Sequence, residues 1–535
     1  MGYYLNNLDA YTMFGSAVQS PYFVDKSMII AELIPRIGTT QRFVCITRPR
    51  RFGKSIMASM LGAFFVKEGD AGSLFDKLKI SKASQYKKHL NSHNVIYIDF
   101  SKYDDDCCKY DDYIANIKEL LQEDIRAAYP DVEFRQKASV AEDLTRVNQQ
   151  KKERFIFILD EWDAVFHMSF VSDKDKEKYL AFLKNLMKGN AYMEFAYMTG
   201  ILPIAKYSSG SELNDFQEYT MAAKEMYSSY FGFTENEVDE LYGRYLKLEK
   251  HPKVSRADLC LWYDGYHTVS GKRMYNPRSV VCALSDNQIS NYWTSSGPYD
   301  EIFYYIEKNV AEVRDDLALM ISGISVPAKV QEYAATSMNL STRDEIFSAM
   351  VVYGFLSYED GKVCIPNKEL ADKFRDMLKK ESSLGYVYRL AKESDRMLKA
   401  TKAGDTAVML EILEYAHDTE IPLLSYNNET DLTAVVNLVY LSARDSYVIQ
   451  REDKAGRGYV DFIFYPVKKD DDCIILELKV DHTAAEAIQQ IKDRKYALRF
   501  SGKIGEEPRY TGRILAVGIA YEKESKKHSC IVEVL

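Results

Sequence analysis

The 535-residue chain lacks the features that mark secreted, zinc-bound or membrane-embedded proteins. Its eight cysteines form no Cys-x-x-Cys pair, and no cluster of cysteine and histidine has zinc-site spacing. No apolar run is long enough to span a bilayer, and the first residues show neither the basic nor the apolar region of a signal peptide. We therefore expect a cytoplasmic protein with reduced thiols and no membrane association.

The chain also lacks an excess of positive charge, since 70 Lys and Arg face 79 Asp and Glu for a net charge of −9. This balance excludes a protein that binds nucleic acid through an overall basic surface, but it does not exclude a local basic groove. Tryptophan is scarce (3 residues), whereas tyrosine is abundant (40). The hydrophobic content of 46% excludes disorder as the dominant state, and the length predicts about three domains.

The order of predicted elements divides the chain into five segments. They are an alternating strand and helix region (1–233), a helical lid or linker (234–330), a winged-helix-like module (331–385), a helical linker (386–425) and a small α/β domain (426–535). The last boundary is expected near Pro422. A small packing module without a ligand is the alternative interpretation of the third segment.

The first segment predicts a mostly parallel sheet covered by helices on both faces. Strands are expected at 43–47, 95–100, 155–159 and 194–198, with helices at 55–66 and 113–128. In the third segment, helices at 344–356 and 368–380 flank a hairpin that turns at Asp360-Gly361. The last segment predicts helices at 431–443 and 484–500 and strands at 459–465, 473–480 and 514–521.

A phosphate-binding loop is predicted where a buried strand meets a helix, at Arg48-Pro49-Arg50-Arg51-Phe52-Gly53-Lys54-Ser55. Backbone N–H groups at the helix start would hold phosphate, Lys54 would bridge the β- and γ-phosphates, and Ser55 would hold Mg²⁺. The predicted nucleotide-binding residues of this segment are Arg51, Phe52, Gly53, Lys54, Ser55 and Ile56. Arg48 stands where the usual pattern has glycine, and Pro49 stiffens the entry to the loop.

The apolar strand 155–159 ends in Asp160-Glu161, which is the layout of a Walker B element. Asp160 would hold Mg²⁺ through water, and Glu161 would polarise the attacking water. Thr199 stands where such folds place a polar sensor of the γ-phosphate. Acidic helix caps and a strand-end hydroxyl are the structural alternatives for these residues.

A second site is predicted in the last segment, where Glu477 and Lys479 project from the same face of one strand. If strands 459–465 and 473–480 pair as a hairpin, Asp461 converges on them. Asp461 and Glu477 would bind Mg²⁺ or Mn²⁺, and Lys479 would orient water or stabilise the transition state of phosphodiester cleavage. An exposed charged strand face is the alternative. Gln490 and Tyr496 are expected on the following helix, and Glu429 is a possible extra acid.

Several longer strings extend these two sites over nearly the whole chain. They are Tyr22-Phe23-Val24-Asp25-Lys26-Ser27, Arg48 to Ser55, Tyr97-Ile98-Asp99-Phe100-Ser101, Leu159-Asp160-Glu161-Trp162-Asp163, Trp262-Tyr263-Asp264-Gly265-Tyr266, Tyr275-Asn276-Pro277-Arg278-Ser279-Val280, Tyr292-Trp293, Gly456-Arg457-Gly458 to Asp461, Glu477-Leu478-Lys479, and Gln489 or Gln490 to Tyr496. With them the chain resembles bacterial and archaeal AAA-ATPase-like proteins that carry a C-terminal PD-(D/E)XK nuclease-superfamily domain. In that family the missing first glycine of the loop is normal.

The resemblance implies an α/β multidomain protein with a P-loop NTPase parallel sheet, a helical and winged-helix-like middle and a restriction-endonuclease-like C-terminal domain. It implies ATP and Mg²⁺ or Mn²⁺ as cofactors, DNA or RNA as partner, and an oligomer as one possible assembly. Glu161, Asp461, Glu477 and Lys479 would be catalytic. Alternatives are an ATP-dependent switch with an inactive nuclease-fold binding module and a winged-helix regulator of duplex DNA.

Two features depart from the pattern of this family, and a third segment has its own interpretation. The segment before Asp461 supplies no certain extra acid of the nuclease motif, and Asp470 to Asp472 add negative charge that disfavours nucleic acid. The tyrosine-rich segment around 263–280 predicts a buried, lid-like helical region. Its Arg278 is a candidate to reach the nucleotide, or a neighbouring subunit, as an arginine finger.

Overall fold

This computed structural model describes residues 2–204, 213, 215–221, 224–293, 310–321, 323–330, 340, 342–380, 386–418, 429–455, 458–500 and 510–535. The chain forms two compact units, one of residues 1–298 and 327–370 and one of residues 299–326 and 371–535. The five segment boundaries stay predictions, and the boundary near Pro422 lies outside the described residues. Within the described ranges, no helix has both the length and the apolar character needed to cross a membrane.

A five-stranded parallel sheet forms the centre of the first unit. Its strands are β1 (Phe43–Thr47), β2 (Asn94–Asp99), β3 (Phe155–Asp160), β4 (Met193–Gly200) and β5 (Gln217–Thr220). They lie in the order β2-β3-β4-β1-β5, and every neighbouring pair is parallel. The predicted parallel sheet is therefore confirmed, with β5 as an additional edge strand.

Helices accompany this sheet along the chain. They are α1 (Asp9–Val18), α2 (Ile29–Leu33), α3 (Lys54–Phe65), α4 (Gly72–Phe75), α5 (Tyr86–His89), α6 (Tyr110–Ala128), α7 (Val140–Lys151) and α8 (Asp173–Met187). Strand β1 shows why both faces of the sheet are covered. Phe43 and Cys45 belong to one buried cluster, while Val44 and Ile46 belong to another. Alternate side chains of a strand point to opposite faces, so a run of five apolar residues requires packing on both sides.

The middle of the first unit consists of capped helices around buried tyrosines. Its elements are α9 (Glu235–Leu248), α10 (Arg256–Tyr263), the short antiparallel strands β6 (Tyr266–His267) and β7 (Arg273–Met274), and α11 (Pro277–Ser285). Thr234 and Ser255 begin α9 and α10 with reciprocal capping boxes. Tyr245, Tyr263 and Tyr275 are buried in one cluster, which explains the tyrosine-rich sequence of this segment.

Helix α12 (Val310–Ile321) belongs to the second unit, and the chain returns to the first unit through β8 (Val326–Pro327). The predicted helix, hairpin and helix follow as α13 (Arg343–Tyr353), β9 (Ser357–Glu359), β10 (Lys362–Cys364) and α14 (Lys368–Lys380). Asp360 and Gly361 form the hairpin turn with φ values of 48° and 76°. Its assignment as a winged-helix module stays a prediction. The first unit ends at Leu370, within α14.

The second unit contains a mixed five-stranded sheet. Its remaining helices are α15 (Tyr386–Ala403), α16 (Thr406–Asp418), α17 (Glu429–Val439) and α18 (Ala484–Asp493), and its strands are β11 (Tyr447–Ala455), β12 (Gly458–Pro466), β13 (Cys473–Val480), β14 (Ile514–Glu522) and β15 (Lys527–Val534). The strands lie in numerical order, and only β13 and β14 pair in parallel. Because α18 connects these two strands, the unit contains a strand–helix–strand crossover.

The structure corrects two helices predicted from the sequence. The helix expected at 431–443 ends at Val439, because Tyr440 leaves the helical conformation (φ −108°, ψ 20°), and a 3₁₀ helix (Leu441–Asp445) follows. The helix expected at 484–500 ends at Asp493, and a short 3₁₀ helix (Tyr496–Phe500) follows. Lys495 separates the two with a φ of 56°, a left-handed conformation that an α-helix cannot contain. Gln490 and Tyr496 therefore lie on different elements.

Candidate nucleotide and metal sites

The loop between β1 and α3 places a buried lysine at the start of a helix. Gly53 caps α3 with a φ of 89°, and open space surrounds the position where a Cβ would lie. Lys54 is buried, and its Nζ donates to the carbonyl oxygens of Arg48 (3.0 Å) and Pro49 (3.1 Å). Burial lowers the pKa of Lys54, while the nearby acids Asp163, Glu161 and Asp160 oppose this shift.

Arg48, which replaces the usual glycine, has a structural role in this geometry. Its guanidinium donates to the carbonyl oxygens of Thr47 (2.8 Å) and Tyr219 (2.6 Å) and lies 5.1 Å from the ring centre of Phe231. Arg48 is 1% exposed, and burial lowers its pKa to about 10. It therefore ties the entry of the loop to β5, and the described cavity lining does not include it.

A cavity of about 690 Å³ opens beside this loop in the first unit. Its lining includes charged and polar residues, namely Arg50, Arg51, Lys54, Ser55, Glu161, Asp163 and Arg278. It also includes apolar and aromatic residues, among them Phe14, Tyr22, Phe23, Met57, Met60 and Val281. The cavity thus offers groups for an anion as well as apolar surface for a planar ring.

The end of β3 brings two acids to the same region. Asp160 is buried and is hydrogen-bonded to the hydroxyl groups of Ser55 and Tyr97. Desolvation raises the pKa of Asp160 to about 7, and the neighbouring carboxylate of Asp99, its partner in strand register, adds to this shift. Glu161 lines the cavity from a left-handed backbone position (φ 48°), and desolvation raises its pKa as well.

Thr199 is buried inside β4 and does not line the cavity. Its hydroxyl has no hydrogen-bond partner within the described residues. The next residues, Gly200 and Ile201, do line the cavity. Asp163 holds this stretch in place, because its Oδ2 accepts from the N–H groups of Ile201 (2.9 Å) and Leu202 (2.7 Å). Sequence reasoning gave Asp163 no role, although it stands only two residues after Glu161.

Arg50 and Arg278 also line the cavity. Arg50 belongs to the predicted loop string but was not among the predicted nucleotide ligands, whereas Arg278 was a candidate to reach the nucleotide as an arginine finger. Arg278 follows Pro277 at the start of α11, and it lines the same cavity as Lys54. The repeated basic residues of the loop were the signal for Arg50, whereas the position of Arg278 required the tertiary structure.

The second unit brings Asp461, Glu477 and Lys479 together on β12 and β13. The antiparallel ladder ends at Phe462 and Leu476, so that Asp461 and Glu477 are the next residues on facing strands. Oδ2 of Asp461 accepts from the N–H of Leu478 at 2.7 Å, and Lys479 Nζ donates to Glu477 Oε1 at 3.0 Å. The hairpin on which the predicted convergence depended is present.

Glu477 is a buried carboxylate beside Asp461. It is 2% exposed, and desolvation, with a further contribution from Asp461, raises its pKa to about 7. Its Oε1 accepts from Lys479 and from the amide of Gln490, whereas its buried Oε2 has no hydrogen-bond partner within the described residues. A buried carboxylate oxygen without a donor fits coordination of a hard divalent cation.

The acid set around Glu477 is small. Nowhere in the described ranges do three or more Asp, Glu, His or Cys residues form a group that could hold a metal ion. The side chain of Glu429, at the start of α17, lies outside the described part of the structure. Gln490 and Tyr496, although on separate elements, are hydrogen-bonded to each other beside Glu477.

Two of the three acids in the turn between β12 and β13 are paired with basic side chains. Lys402 Nζ donates to both oxygens of Asp471 (2.7 and 3.0 Å), and Arg513 pairs with Asp472 through Nε (3.0 Å) and Nη2 (2.7 Å). The turn also follows the far end of β12, about 16 Å along the strand from Asp461. The expected conflict between this turn and a phosphate group is therefore weaker than the sequence indicates.

Comparisons with known families agree with these two folds. Residues 17–209 match the family model of a predicted AAA-ATPase, and residues 428–529 match that of the PD-(D/E)XK nuclease superfamily. The chain thus combines an AAA-ATPase-like domain built on a parallel sheet with a PD-(D/E)XK nuclease-superfamily domain built on a mixed sheet. The resemblance seen in the sequence and the α/β fold class are confirmed.

Individual relatives are distant. An uncharacterized protein in the vnfD 5′ region of Azotobacter chroococcum mcd 1 is 26% identical over 283 residues, which are 52% of this chain and 51% of the relative. The chain therefore matches about half the length of that curated relative. The Walker-type ATPase PABY2304 of Pyrococcus abyssi has a TM-score of 0.36 at 12% identity, covering 65% of this chain and 94% of its own. The ORC2 protein of Aeropyrum pernix has a TM-score of 0.32 at 10% identity, covering 68% and 92%.

Proposed function

We propose that the first unit binds ATP with Mg²⁺ and hydrolyses it. The observation that carries this proposal is the buried ammonium of Lys54 at the helix start, beside a cavity that also contains Ser55, Glu161 and Arg278. Buried cations and N–H groups at a helix start favour a phosphate, and the apolar side chains of the cavity lining favour a base. The AAA-ATPase family match supports the same assignment.

Each polar residue has a role in this proposal. Lys54 exchanges its bonds to the Arg48 and Pro49 carbonyls for phosphate oxygens, and N–H groups from Arg51 to Ile56 bind the same group. Ser55 and Asp160 would hold the cation, which neutralises phosphate charge when bound. Glu161 orients the attacking water and accepts its proton, helped by its raised pKa. Thr199 fits a sensor role only if β4 shifts toward the cavity.

Replacement of Lys54 tests the nucleotide proposal. Lys54→Ala removes the buried cation, and we expect ATP affinity to fall by about 100-fold or more, as measured by calorimetry with Mg²⁺. The exposed Lys82→Ala in the same unit is the matched control and should bind like the wild type. Equal heats of binding for Lys54→Ala and Lys82→Ala would reject the site.

We further propose that the second unit cleaves phosphodiester bonds of DNA or RNA with Mg²⁺ or Mn²⁺, under control of the nucleotide. Asp461 and Glu477 would hold the cation, which activates water and neutralises phosphate charge when bound. Lys479 orients the attacking water or stabilises the charge that develops on phosphate. The orphaned Oε2 of Glu477 and the nuclease-superfamily match support this assignment.

Cleavage of labelled single- and double-stranded DNA and RNA with Mn²⁺ tests this second proposal. Asp461→Asn and Lys479→Ala should each lower the cleavage rate by about 100-fold or more. Asp470→Asn, an exposed acid in the turn of the same domain, should leave the rate unchanged. Cleavage by Asp461→Asn at the wild-type rate would place the activity elsewhere.

One observation favours the alternative, an ATP-dependent switch whose nuclease fold only binds. Two acids within the described residues are fewer than the three-residue groups that hold metals firmly. Under this alternative, Mn²⁺ titration of the wild type gives no heat that depends on Asp461, yet nucleic acid still binds. Metal binding that disappears in Asp461→Asn would instead favour the nuclease.

A further inference from the structure

Glu369, in the first turn of α14, is a buried carboxylate to which the proposed chemistry assigns no role. It is 1% exposed. Its Oε1 accepts from the N–H groups of Tyr292 and Trp293, both at 2.6 Å, and its Oε2 accepts from the Ser279 hydroxyl at 2.9 Å. A buried carboxylate is costly unless it is hydrogen-bonded, so these three donors fix its position.

Two of these donors belong to residues that contact the phosphate-binding loop. The indole Nε1 of Trp293 donates to the Arg50 carbonyl oxygen at 3.3 Å, and the Arg51 guanidinium donates to the Tyr292 carbonyl oxygen. Glu369 is therefore separated from the loop by a single residue along each of two routes. Both loop arginines also line the proposed nucleotide cavity.

A third route leads from Glu369 to another residue of the cavity lining. Ser279, which donates to Oε2, directly follows Arg278 at the start of α11. The side-chain amide of Asn291 donates to the Glu369 carbonyl oxygen at 3.0 Å, which ties the same segment to the backbone of α14. One carboxylate thus joins three parts of the first unit: the segment 291–293, α11 and α14.

The surroundings of Glu369 have opposing effects on its pKa. Burial raises the pKa of Glu369, whereas the donors Trp293, Ser279 and Tyr292 and the positive charge of Arg51 oppose that shift. Arg51 in turn has a lowered pKa, through desolvation and the neighbouring Arg278. A nucleotide phosphate placed beside Arg51 would change the electrostatic field at Glu369.

We propose that Glu369 is a positioning residue of the nucleotide site, which holds Tyr292 and Trp293 against the loop arginines and links nucleotide binding to the first turn of α14. This inference rests on the proposed ATP site. The link consists of the contacts of Glu369 with Tyr292, Trp293 and Ser279, and its other end is the helix that follows the hairpin. Glu369 itself contacts neither substrate nor cation.

The fluorescence of Trp293 tests the link, because the chain has only three tryptophans. With Trp162→Phe and Trp262→Phe, Trp293 is the single emitter, and we expect its emission to change on addition of ATP and Mg²⁺. Adding Glu369→Ala should remove this change at saturating ATP while calorimetry still detects binding, weakened by about tenfold. Glu369→Gln should keep the change, because its amide oxygen accepts the same N–H groups and its NH₂ can donate to Ser279.

Glu240→Gln, an exposed carboxylate on α9, is the control for loss of one negative charge and should behave like the wild type. A full Trp293 response in Glu369→Ala would overturn the link. Absence of ATP binding in the wild type would reject the nucleotide site itself. If Glu369→Ala does not fold, Ser279→Ala removes only one hydrogen bond, and hydrogen exchange of 286–293 in the otherwise native chain should then show reduced protection by ATP. Unchanged protection in Ser279→Ala would also contradict the inference.

Discussion

Asp160 and Glu477, in two separate sheets, share one electrostatic property. Each is buried beside a second carboxylate, Asp99 or Asp461, and the pKa of each is raised to about 7. Without a cation, such an acid is favoured in its neutral form. A divalent cation would bind the ionised form, so that proton release and metal binding are coupled at both sites.

The raised pKa of Asp160 predicts a specific dependence of stability on pH. An acid whose pKa rises on folding stabilises the fold below its unfolded value, near 4, and this contribution is lost as pH rises through about 7. Asp160→Asn cannot ionise, so without divalent cations its free energy of unfolding should exceed that of the wild type by roughly 4 kcal/mol at pH 8 and match it near pH 4. Denaturant unfolding followed by tryptophan emission, to which buried Trp162 contributes, measures this difference.

The exposed Asp105→Asn is the control for this experiment, since it removes one carboxylate of the same unit without changing the site. Its pH profile should follow that of the wild type. A constant difference between Asp160→Asn and the wild type over the whole range would contradict the assignment.

At this scale the sequence predicted residues that stand in continuous strings and missed those that depend on tertiary contacts. Lys54, Ser55, Asp160 and Glu161 follow strands whose apolar character is visible. The contact of Glu369 with Ser279 joins residues 90 positions apart. Arg278 was a candidate to reach the nucleotide, but its place in the cavity lining depends on where α11 lies. A single sequence contains no signal for such pairs. The roles of the predicted site residues stay proposals.

Among the secondary-structure elements, the contact between the phosphate-binding loop and the end of α13 is unusually close. Gly354 ends α13 in a left-handed conformation (φ 85°), and a Cβ there would lie 2.6 Å from Cβ of Pro49. The hydroxyl of Tyr266 donates to the Gly354 carbonyl oxygen at 3.0 Å, and its ring packs edge-on against Phe52. The stiff entry of the loop therefore packs directly against the end of α13.

Gly354→Ala should therefore affect both stability and nucleotide binding. The left-handed backbone and the clash with Pro49 together should lower the free energy of unfolding by roughly 2–4 kcal/mol, and ATP affinity should fall because the loop entry shifts. Thermal unfolding and calorimetry measure the two effects. Gly361→Ala has a similar φ of 76° but no atom within 4 Å of its Cβ, so it should show only the backbone cost of about 1–2 kcal/mol. Equal losses for both variants would exclude the clash.

The elements differ in how well their sequences revealed them. Continuous apolar runs made β1, β3 and β13 predictable to within about a residue. The polar strand β11 and the last strand β15 were not predicted, because neither contains a long apolar run and their pairing with β12 and β14 decides their conformation. The left-handed Lys495, which ends the helical segment early, has no sequence signal of the kind that glycine provides.

At the scale of the whole molecule, the chain contains two compact units with separate sheets and separate candidate sites. Each unit has its own hydrophobic clusters, which is the condition for independent cooperative unfolding. A ligand stabilises the part of the protein that binds it. The two proposed ligands should therefore act on different unfolding transitions.

Calorimetry should resolve two thermal transitions. At about 100 times its dissociation constant, a ligand adds roughly 3 kcal/mol to the unit that binds it, which raises the midpoint by several degrees. We expect ATP with Mg²⁺ to raise one transition and Mn²⁺ alone to raise the other. Lys54→Ala should cancel the first shift and Asp461→Asn the second. A single transition raised equally by both ligands would contradict this division.

The buried guanidinium of Arg48 has a consequence for the evolution of the loop. Arg48→Gly would restore the ordinary glycine-rich pattern, yet it would also leave a void beside Phe231 and remove the hydrogen bonds to the carbonyl oxygens of Thr47 and Tyr219. Arg48→Gly alone is therefore expected to lower the free energy of unfolding. Larger side chains on the β5 side would be needed to fill the void. The effect of a substitution at position 48 thus depends on the residues around it, and exchange of this loop with that of another AAA-ATPase-like protein would require exchange of those residues as well.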